Sequence, residues 1–250
     1  MKIHPGRVGL RMRGATLRNS NFPHTIAAME SSVIVSQAAK KELTRHSRNH
    51  MGMKHIFAFE EGDPKDRALL GGKGAALADM SKIGLPVPPG FVITTEVCHY
   101  YLAEKEYPAD FWEDFDMQLR ALEKKMDKQF GSAENPLLVS VRSGAAVSMP
   151  GMMDTILNLG LNEQTLQGLI NQTGNERFSY DSYRRFIQMF GNVVMGIAHD
   201  RFEEALEKMK HENGISEDTD LETAHLKGLI ENYKNIVREE LAKNKSVFLC

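Results

Sequence analysis

The sequence contains only two cysteines, Cys98 and Cys250, among its 250 residues. Two cysteines provide no disulfide framework, and a reducing compartment is therefore the simpler expectation. The formal net charge is −2, so neither sign of charge is in excess and nothing in the composition favours nucleic acid or an acidic membrane as a partner. No stretch approaches the roughly 18 apolar residues that a membrane-spanning helix requires, and we expect no membrane span.

The first 52 residues differ in composition from the rest of the chain. Met1 to Lys41 carries seven Lys and Arg residues against a single acid, Glu30, with serines interspersed. An acid-poor leader that contains Arg and Ser is typical of an organellar transit peptide for a plastid or mitochondrion. Two alternatives stay open: a disordered extension without a targeting role, or upstream sequence from a gene model that begins too early. The expected location is therefore cytoplasmic or organellar.

Three glycines surround Lys73 in the stretch Leu69 to Ala76, "LLGGKGAA". Glycine allows the backbone to approach a ligand closely, and the apolar pattern predicts a helix that begins near Ala75. The positive end of that helix, together with the charge of Lys73, would form a phosphate-binding turn. The spacing differs from that of the Walker motif, and an ordinary helix start with an exposed lysine is the alternative.

A second cation follows a run with strand character, Leu137 to Val141, which ends at Arg142. A guanidinium matches phosphate oxygens two at a time, although a structural ion pair is the alternative role for Arg142. The next stretch, Ser148 to Thr155, places three methionines around a Pro-Gly turn. Methionine suits a flexible flap over a ligand, and a buried turn is the alternative. Lys73 and Arg142 near glycine turns favour a nucleoside triphosphate as ligand.

The hydrophobic pattern predicts strands and helices in the first half and helices in the second. Strands are predicted within Lys54 to Glu60 and at Phe91 to Thr94, with Thr95 as the cap of a short helix. A longer helix is predicted from Pro108 to a stop at Gly131. Four helices follow, at Asn162 to Gly174, around Tyr180 to Ile197, from a capping box of Asp200 and Glu203, and around Leu226 to Val237. We expect their aromatic side chains to belong to the core.

Residues from about Lys54 to Glu240 resemble the N-terminal part of pyruvate, phosphate dikinase. The resemblance lies in the following segments: Phe59 to Gly62, Leu70 to Gly74, Gly84 to Phe91, Leu138 to Leu161 ("LVSVRSGAAVSMPGMMDTILNLGL") and Arg177 to Met195. It implies an α+β fold, namely the N-terminal portion of an ATP-grasp type nucleotide-binding domain with a largely helical subdomain. The implied division is 1–52 as leader or disordered extension, 53–160 as the nucleotide-binding part, 161–243 as the helical subdomain and 244–250 as a tail unlike the family.

The resemblance also implies roles for individual residues. The residues matched by Lys73 and Arg142 contact the ATP phosphates, and the loop matched by Gly151, Met152, Met153, Asp154 and Thr155 closes over the terminal phosphates. The family's phosphohistidine, pyruvate site and Mg²⁺ ligands match no part of this chain, so we expect ATP with Mg²⁺ as cofactor but neither a catalytic residue nor a metal ligand here. The histidines show no metal-ligand spacing.

The preferred prediction is the ATP-binding part of a dikinase that converts ATP, pyruvate and phosphate to AMP, phosphoenolpyruvate and diphosphate. In that case the chain is truncated and inactive alone, and pyruvate and phosphate bind only to a full-length enzyme, which in this family is a homodimer. One alternative is a non-catalytic short protein that retains half a nucleotide site and acts by binding. Another is phosphoenolpyruvate synthase, against which the Met-rich loop argues.

Overall fold

The structure is a computed structural model that describes residues 54–143 and 155–247. The predicted leader 1–52 and the loop residues Gly151 to Asp154 lie outside this range. The described residues form seven α-helices, six short strands and one 3₁₀ helix, in the order β1 Ile56–Ala58, α1 Arg67–Lys82, β2 Phe91–Ile93, α2 Thr95–Glu104, α3 Phe111–Met126, β3 Gln129–Phe130, β4 Pro136–Leu137, β5 Val139–Arg142, β6 Thr155–Leu159, α4 Glu163–Thr173, α5 Glu176–Val193, α6 His199–Asn213, 3₁₀ Asp218–Asp220 and α7 Thr223–Val247. This mixture of helices and small sheets confirms the α+β class.

In the first part of the structure, helices pack on both faces of a two-stranded antiparallel sheet. β1 pairs with β2 so that Ile56 lies opposite Ile93 and Phe57 lies opposite Val92. Because side chains alternate along a strand, Phe57 and Val92 share one face and pack against α1. On the opposite face, Ile56 packs with residues of α2 and α3, where Phe111 is fully buried. The predicted strand–helix–strand–helix order is confirmed.

Two predicted boundaries in this part are wrong. The helix predicted to stop at Gly131 ends at Met126, where Asp127 adopts the left-handed conformation with φ of 49°. Phe130 therefore lies in β3, which pairs with β4 in parallel. Thr95 was predicted as a helix cap, but the N-cap of α2 is Thr94, and Thr95 is the first helical residue.

The hairpin of β5 and β6 joins the two parts of the chain. The predicted strand Leu137 to Val141 is divided into β4 and β5, and Leu138 between them packs with the buried side chains of the helical part. β5 pairs antiparallel with β6, with Val139 opposite Leu159 and Arg142 opposite Thr155. β6 lies on α5, where the sulfur of Met189 accepts the N–H of Leu157 at 3.2 Å.

Helices α5 to α7 and the segments between them bury the largest apolar cluster of the described residues. α4 begins at the capping box of Asn162 and Thr165 and ends at left-handed Gly174, which confirms its predicted bounds. The cluster contains Ile197, Phe202, Leu206, Leu221, Leu226, Leu229 and Tyr233. The capping box predicted for α6 is wrong. The helix begins at His199 after Ala198, and the carboxylate of Glu203 instead accepts a hydrogen bond from Gln188 Nε2 at 2.7 Å.

A buried arginine of α5 pairs within its own helix and also lies 3.8 Å from the carboxylate of Asp218 in the 3₁₀ helix. Arg184 is 3% exposed, and its Nη2 lies 2.6 Å from Asp181 Oδ1. Burial lowers the pKa of Arg184, but the hydrogen bond to Asp181 and its charge outweigh burial and leave the pKa raised. Arg177 donates to the backbone carbonyls of Leu221 and Asp218 at 2.8 and 2.9 Å.

Across the described ranges, none of the helices has the length and apolar character needed to traverse a bilayer.

Candidate functional site

The glycine–lysine turn, Gly71 to Gly74, lies inside a helix and not ahead of one. α1 already begins at Arg67, where the carboxylate of Asp66 accepts the N–H of Leu69 at 3.0 Å. Gly71 interrupts the helix with φ of 68° and ψ of 167°, a conformation that is essentially restricted to glycine. The helix resumes after Gly71, so Lys73 lies in the first turn of the second segment. The predicted helix start at Ala75 is therefore wrong by a few residues, while the predicted glycine turn is confirmed.

The glycine–lysine turn is held close to the sheet. A Cβ atom added at Gly74 would lie 2.9 and 3.0 Å from the two methyl carbons of Val92, so α1 can pack on β2 at this distance only with glycine there. The hydroxyl of Thr95 donates to the carbonyl of Ala68 at 2.6 Å, just before the turn. β2 and the start of α2 thus fix both flanks of the turn.

The two predicted phosphate-binding cations, Lys73 and Arg142, form no ion pair within the described ranges. Lys73 is half-buried and Arg142 is exposed at the end of β5. Neither side chain forms an ion pair with another described residue. The structural ion pair that was the alternative for Arg142 therefore finds no partner among these residues, and both charges are available to an anion.

The structure brings together two of the predicted site residues. Thr155 was predicted in a loop, but it is the first residue of β6 and the direct cross-strand partner of Arg142. Lys73 stands on α1, which packs on β2 and α2, whereas the hairpin packs on α5. The other predicted residues, Gly151, Met152, Met153 and Asp154, lie outside the described residues.

An open cleft of about 580 Å³ lies along α1, lined by residues on both sides of the turn in sequence. Its charged lining residues are Asp63, Lys65, Arg67, Asp79 and Lys82. Lys73 does not line it, although Ala75 and Ala76, which follow the turn directly, do. No pattern in the sequence indicates this cleft, because charges on an exposed helix face are ordinary.

The acidic residues at the end of β1 are committed to ion pairs. Lys54 Nζ lies 2.8 Å from Glu61 Oε2, and Lys125 pairs with Glu60. These hydrogen bonds hold the pKa of each glutamate below its ordinary value. In the part of the chain that the structure covers, no three His, Cys, Asp or Glu side chains group in a way that could hold a metal ion.

Comparison with known proteins shows what the aligned part of the chain is similar to. A family model for the pyruvate phosphate dikinase AMP/ATP-binding domain matches residues 67–110, which include the glycine–lysine turn. The chain is 53% identical over 192 residues to the chloroplastic pyruvate, phosphate dikinase of Mesembryanthemum crystallinum, covering 75% of this chain and 20% of that protein. It is 49% identical over 189 residues to the enzyme of Clostridium symbiosum, covering 75% of this chain and 22% of that protein.

The chain thus spans about a fifth of the length of the curated relatives it matches. Pyruvate, phosphate dikinase 1 of Arabidopsis thaliana gives the same result, with 52% identity over 194 residues. The similarity is confined to the N-terminal part of these proteins. The predicted resemblance is confirmed, and over its aligned residues the chain is similar to the N-terminal part of pyruvate, phosphate dikinase.

Proposed function

We propose that the glycine–lysine turn binds the phosphates of ATP as part of a dikinase that phosphorylates pyruvate and phosphate. The observation that carries this proposal is the half-buried Lys73, which lies without a carboxylate partner among the described residues at the start of the helix segment that resumes after Gly71. A helix start presents N–H groups and a positive dipole end, and Lys73 adds a full charge at the same place. The AMP/ATP-binding family model covers this turn.

The hairpin would supply the second group of contacts. Arg142 can donate two parallel hydrogen bonds to a phosphate, and the Thr155 hydroxyl lies on the paired strand. The proposed contacts of Gly151, Met152, Met153 and Asp154 would come from the segment between these two strands. In phosphoryl transfer the protein contributes mainly positioning and fixed positive charge. Lys73 and Arg142 would provide the positive charge, and Thr155 with the segment before it would provide the positioning.

The finer features of the family are proposed on the same basis. We propose that residues 53–160 are the nucleotide-binding part of an ATP-grasp fold and that residues 161–243 are its helical subdomain. The separate apolar clusters around the β1–β2 sheet and within α5 to α7 support two cores, and the β5–β6 hairpin of the first part packs on α5 of the second. Ligands for Mg²⁺, the binding of pyruvate and phosphate, and homodimer formation are proposed for a protein with the full length of the relatives.

The proposal is tested by titrating Mg-ATP into isotope-labelled protein and following the amide signals of Gly71, Gly72 and Gly74 by NMR. We expect these signals to shift saturably. Lys73→Met should weaken the apparent affinity by about 10- to 100-fold, because a charge-assisted hydrogen bond contributes about 1.5–3 kcal/mol. Lys82→Met on the same helix is the matched control and should change the affinity less than about twofold, since an exposed lysine away from the turn makes no such contact.

Two results would contradict the proposal. One is an affinity that Lys73→Met leaves unchanged in a folded protein. The other is a loss of affinity in Lys82→Met but not in Lys73→Met, which would place the nucleotide in the charged cleft along α1. Arg142→Leu gives an independent measurement, and we expect it to weaken Mg-ATP binding without changing the amide signals of α1 in the ligand-free protein.

A further inference from the structure

Thr94 has a buried hydroxyl without a described partner. The residue follows β2 and is 1% exposed, and its N–H donates to the carbonyl of His55 at 3.0 Å. Among the described residues, no atom forms a hydrogen bond with its Oγ1. Thr94 is also the N-cap of α2, where a threonine hydroxyl ordinarily accepts a backbone N–H, but it makes no such bond. A buried unpartnered hydroxyl is unfavourable, so its presence calls for an explanation.

The alternation of side chains along β2 places Thr94 on the side of the glycine–lysine turn. Phe91 and Ile93 pack on the face toward α2 and α3, whereas Val92 faces α1 and touches Gly74. Thr94 is two residues beyond Val92, and strand geometry directs its side chain to the same face. The neighbouring Thr95 bonds to the carbonyl of Ala68, so this end of β2 lies beneath the residues that flank Gly71.

The backbone above this hydroxyl is irregular. Each helical N–H normally bonds to the carbonyl four residues earlier, and the non-helical Gly71 disturbs that pattern around the turn. An interrupted helix and an unpartnered hydroxyl therefore lie on the same side of one strand.

We propose that Thr94 is a positioning residue for the glycine–lysine turn. When a phosphate-class anion occupies the turn, the Thr94 hydroxyl forms a hydrogen bond with the backbone of the turn and stabilises the bound conformation. The hydroxyl is left without a partner in the ligand-free protein. This inference rests on the proposed function, because it assigns Thr94 to the same phosphate-binding turn as Lys73.

The proposal makes two predictions of opposite sign for Thr94→Val, which keeps the shape of the side chain and removes the hydroxyl. Ligand-free protein should unfold at the same urea concentration as wild type or at a higher one, because valine buries no unpartnered polar atom. Affinity for anions should fall by about five- to tenfold, the value of one hydrogen bond. Thr94→Ser retains the hydroxyl and should bind within about twofold of wild type, since the hydrogen bond is preserved.

The experiment measures urea unfolding and NMR titrations for the wild type and both variants. The probes are Mg-ATP and inorganic tripolyphosphate, which carries the phosphate chain without the nucleoside. A similar loss of affinity for both probes in Thr94→Val would assign the effect to the phosphate-binding turn. If Thr94→Val unfolds at a lower urea concentration and binds both probes as wild type does, Thr94 is only a cap of α2 and the proposal is overturned.

The same titrations separate this proposal from the proposed function. If Lys73→Met loses affinity and Thr94→Val does not, Thr94 has no positioning role while phosphate binding at the turn stands. If wild type binds neither probe, or Lys73→Met binds both as wild type does, both proposals are overturned. If Thr94→Val and Lys73→Met both lose affinity while Thr94→Ser keeps it, both are supported.

Discussion

The two parts of the described chain differ in how their polar groups are paired. In the first part, the charge of Lys73 and the hydroxyl of Thr94 have no partners among the described residues, and Gly71 breaks a helix. In the helical part, the guanidinium of Arg184 is bonded to Asp181 and Gln188 although it is buried. Arg177 and Arg184 of α5 also reach the segment between α6 and α7, at the carbonyls of Leu221 and Asp218 and at the Asp218 carboxylate. These cations of the helical part are paired, whereas the charge of Lys73 in the first part has no described carboxylate partner.

The two parts also differ in how their apolar side chains are buried. The helical part buries seven apolar side chains in one cluster, while the first part divides its buried side chains between two faces of a two-stranded sheet. A two-stranded sheet is marginal unless helices cover it. We infer that stability is concentrated in the helical part and that the proposed binding residues stand on the less stable part.

The largest effect that tests this comparison is expected for Phe202→Ala. The ring of Phe202 is fully buried, and its centroid lies 5.0 Å from that of Tyr233. Truncation should lower the free energy of unfolding by about 3–5 kcal/mol through lost burial and the cavity left behind, as measured by urea denaturation. Phe178→Ala on α5 is the control, and because Phe178 is 50% exposed its loss should stay near 1 kcal/mol or below, roughly half of a full transfer term. Equal losses would remove the inference that this cluster dominates stability.

A second substitution tests the buried ion pair with a matched arginine. Arg184 and Arg185 both pair with Asp181, but Arg185 is 59% exposed at its side chain. Arg184→Met should lower the free energy of unfolding by about 3 kcal/mol, because Asp181 loses its buried partner. Arg185→Met should cost less than about 1 kcal/mol, as for other exposed pairs. Urea denaturation of both variants checks the difference, and similar values would show that burial does not set the strength of this pair.

A third substitution separates backbone strain from function. Gly71→Ala should lower the free energy of unfolding by about 1–3 kcal/mol, because φ of 68° with ψ of 167° is strained for any side chain, and it should also abolish the proposed anion binding. Gly131→Ala has a similar φ of 78° and open space around it, and it should cost about 1–2 kcal/mol without changing anion binding. Urea denaturation and the Mg-ATP titration test both variants. Unchanged binding in Gly71→Ala would contradict a role for the turn.

The sequence predicted the elements of this fold better than their ends. The apolar spacing of α4 and α7 and the end residues Asn162 and Gly174 were sufficient, because periodicity and capping are local properties. The start of α6 was predicted wrongly, because the carboxylate of Glu203 is used by Gln188 of another helix. A tertiary contact of this kind leaves no local pattern in a sequence.

The candidate site shows the same limit. The glycines around Lys73 predicted a turn, but only the structure shows that the helix begins before it and that Gly74 is pressed against Val92. Thr94 gave no signal, because a threonine at the end of a strand is ordinary and its lack of a partner is a three-dimensional property. The pairing of Arg142 with Thr155 could not be predicted, since it depends on the register of two strands that are far apart in sequence.

The smallest expected effect on the free energy of unfolding concerns the exposed ion pairs of the first part. The direction of the pKa shifts determines how this effect depends on pH. Hydrogen bonds from Lys125 and Lys54 hold the pKa values of Glu60 and Glu61 below 4.5 in the folded protein. Their contribution to stability is therefore present above about pH 4.5 and is lost as the pH falls through the lowered values.

Each pair is solvent-exposed and should contribute no more than about 1 kcal/mol. We expect the double variant Glu60→Gln, Glu61→Gln to lose up to about 1–2 kcal/mol at neutral pH and less at about pH 3, because the wild-type carboxylates lose their charge as the pH falls through the lowered pKa values. Urea midpoints at both pH values, with and without added salt, measure the difference, and salt should reduce it. A loss of equal size at both pH values would mean that the glutamates act through packing and not through charge.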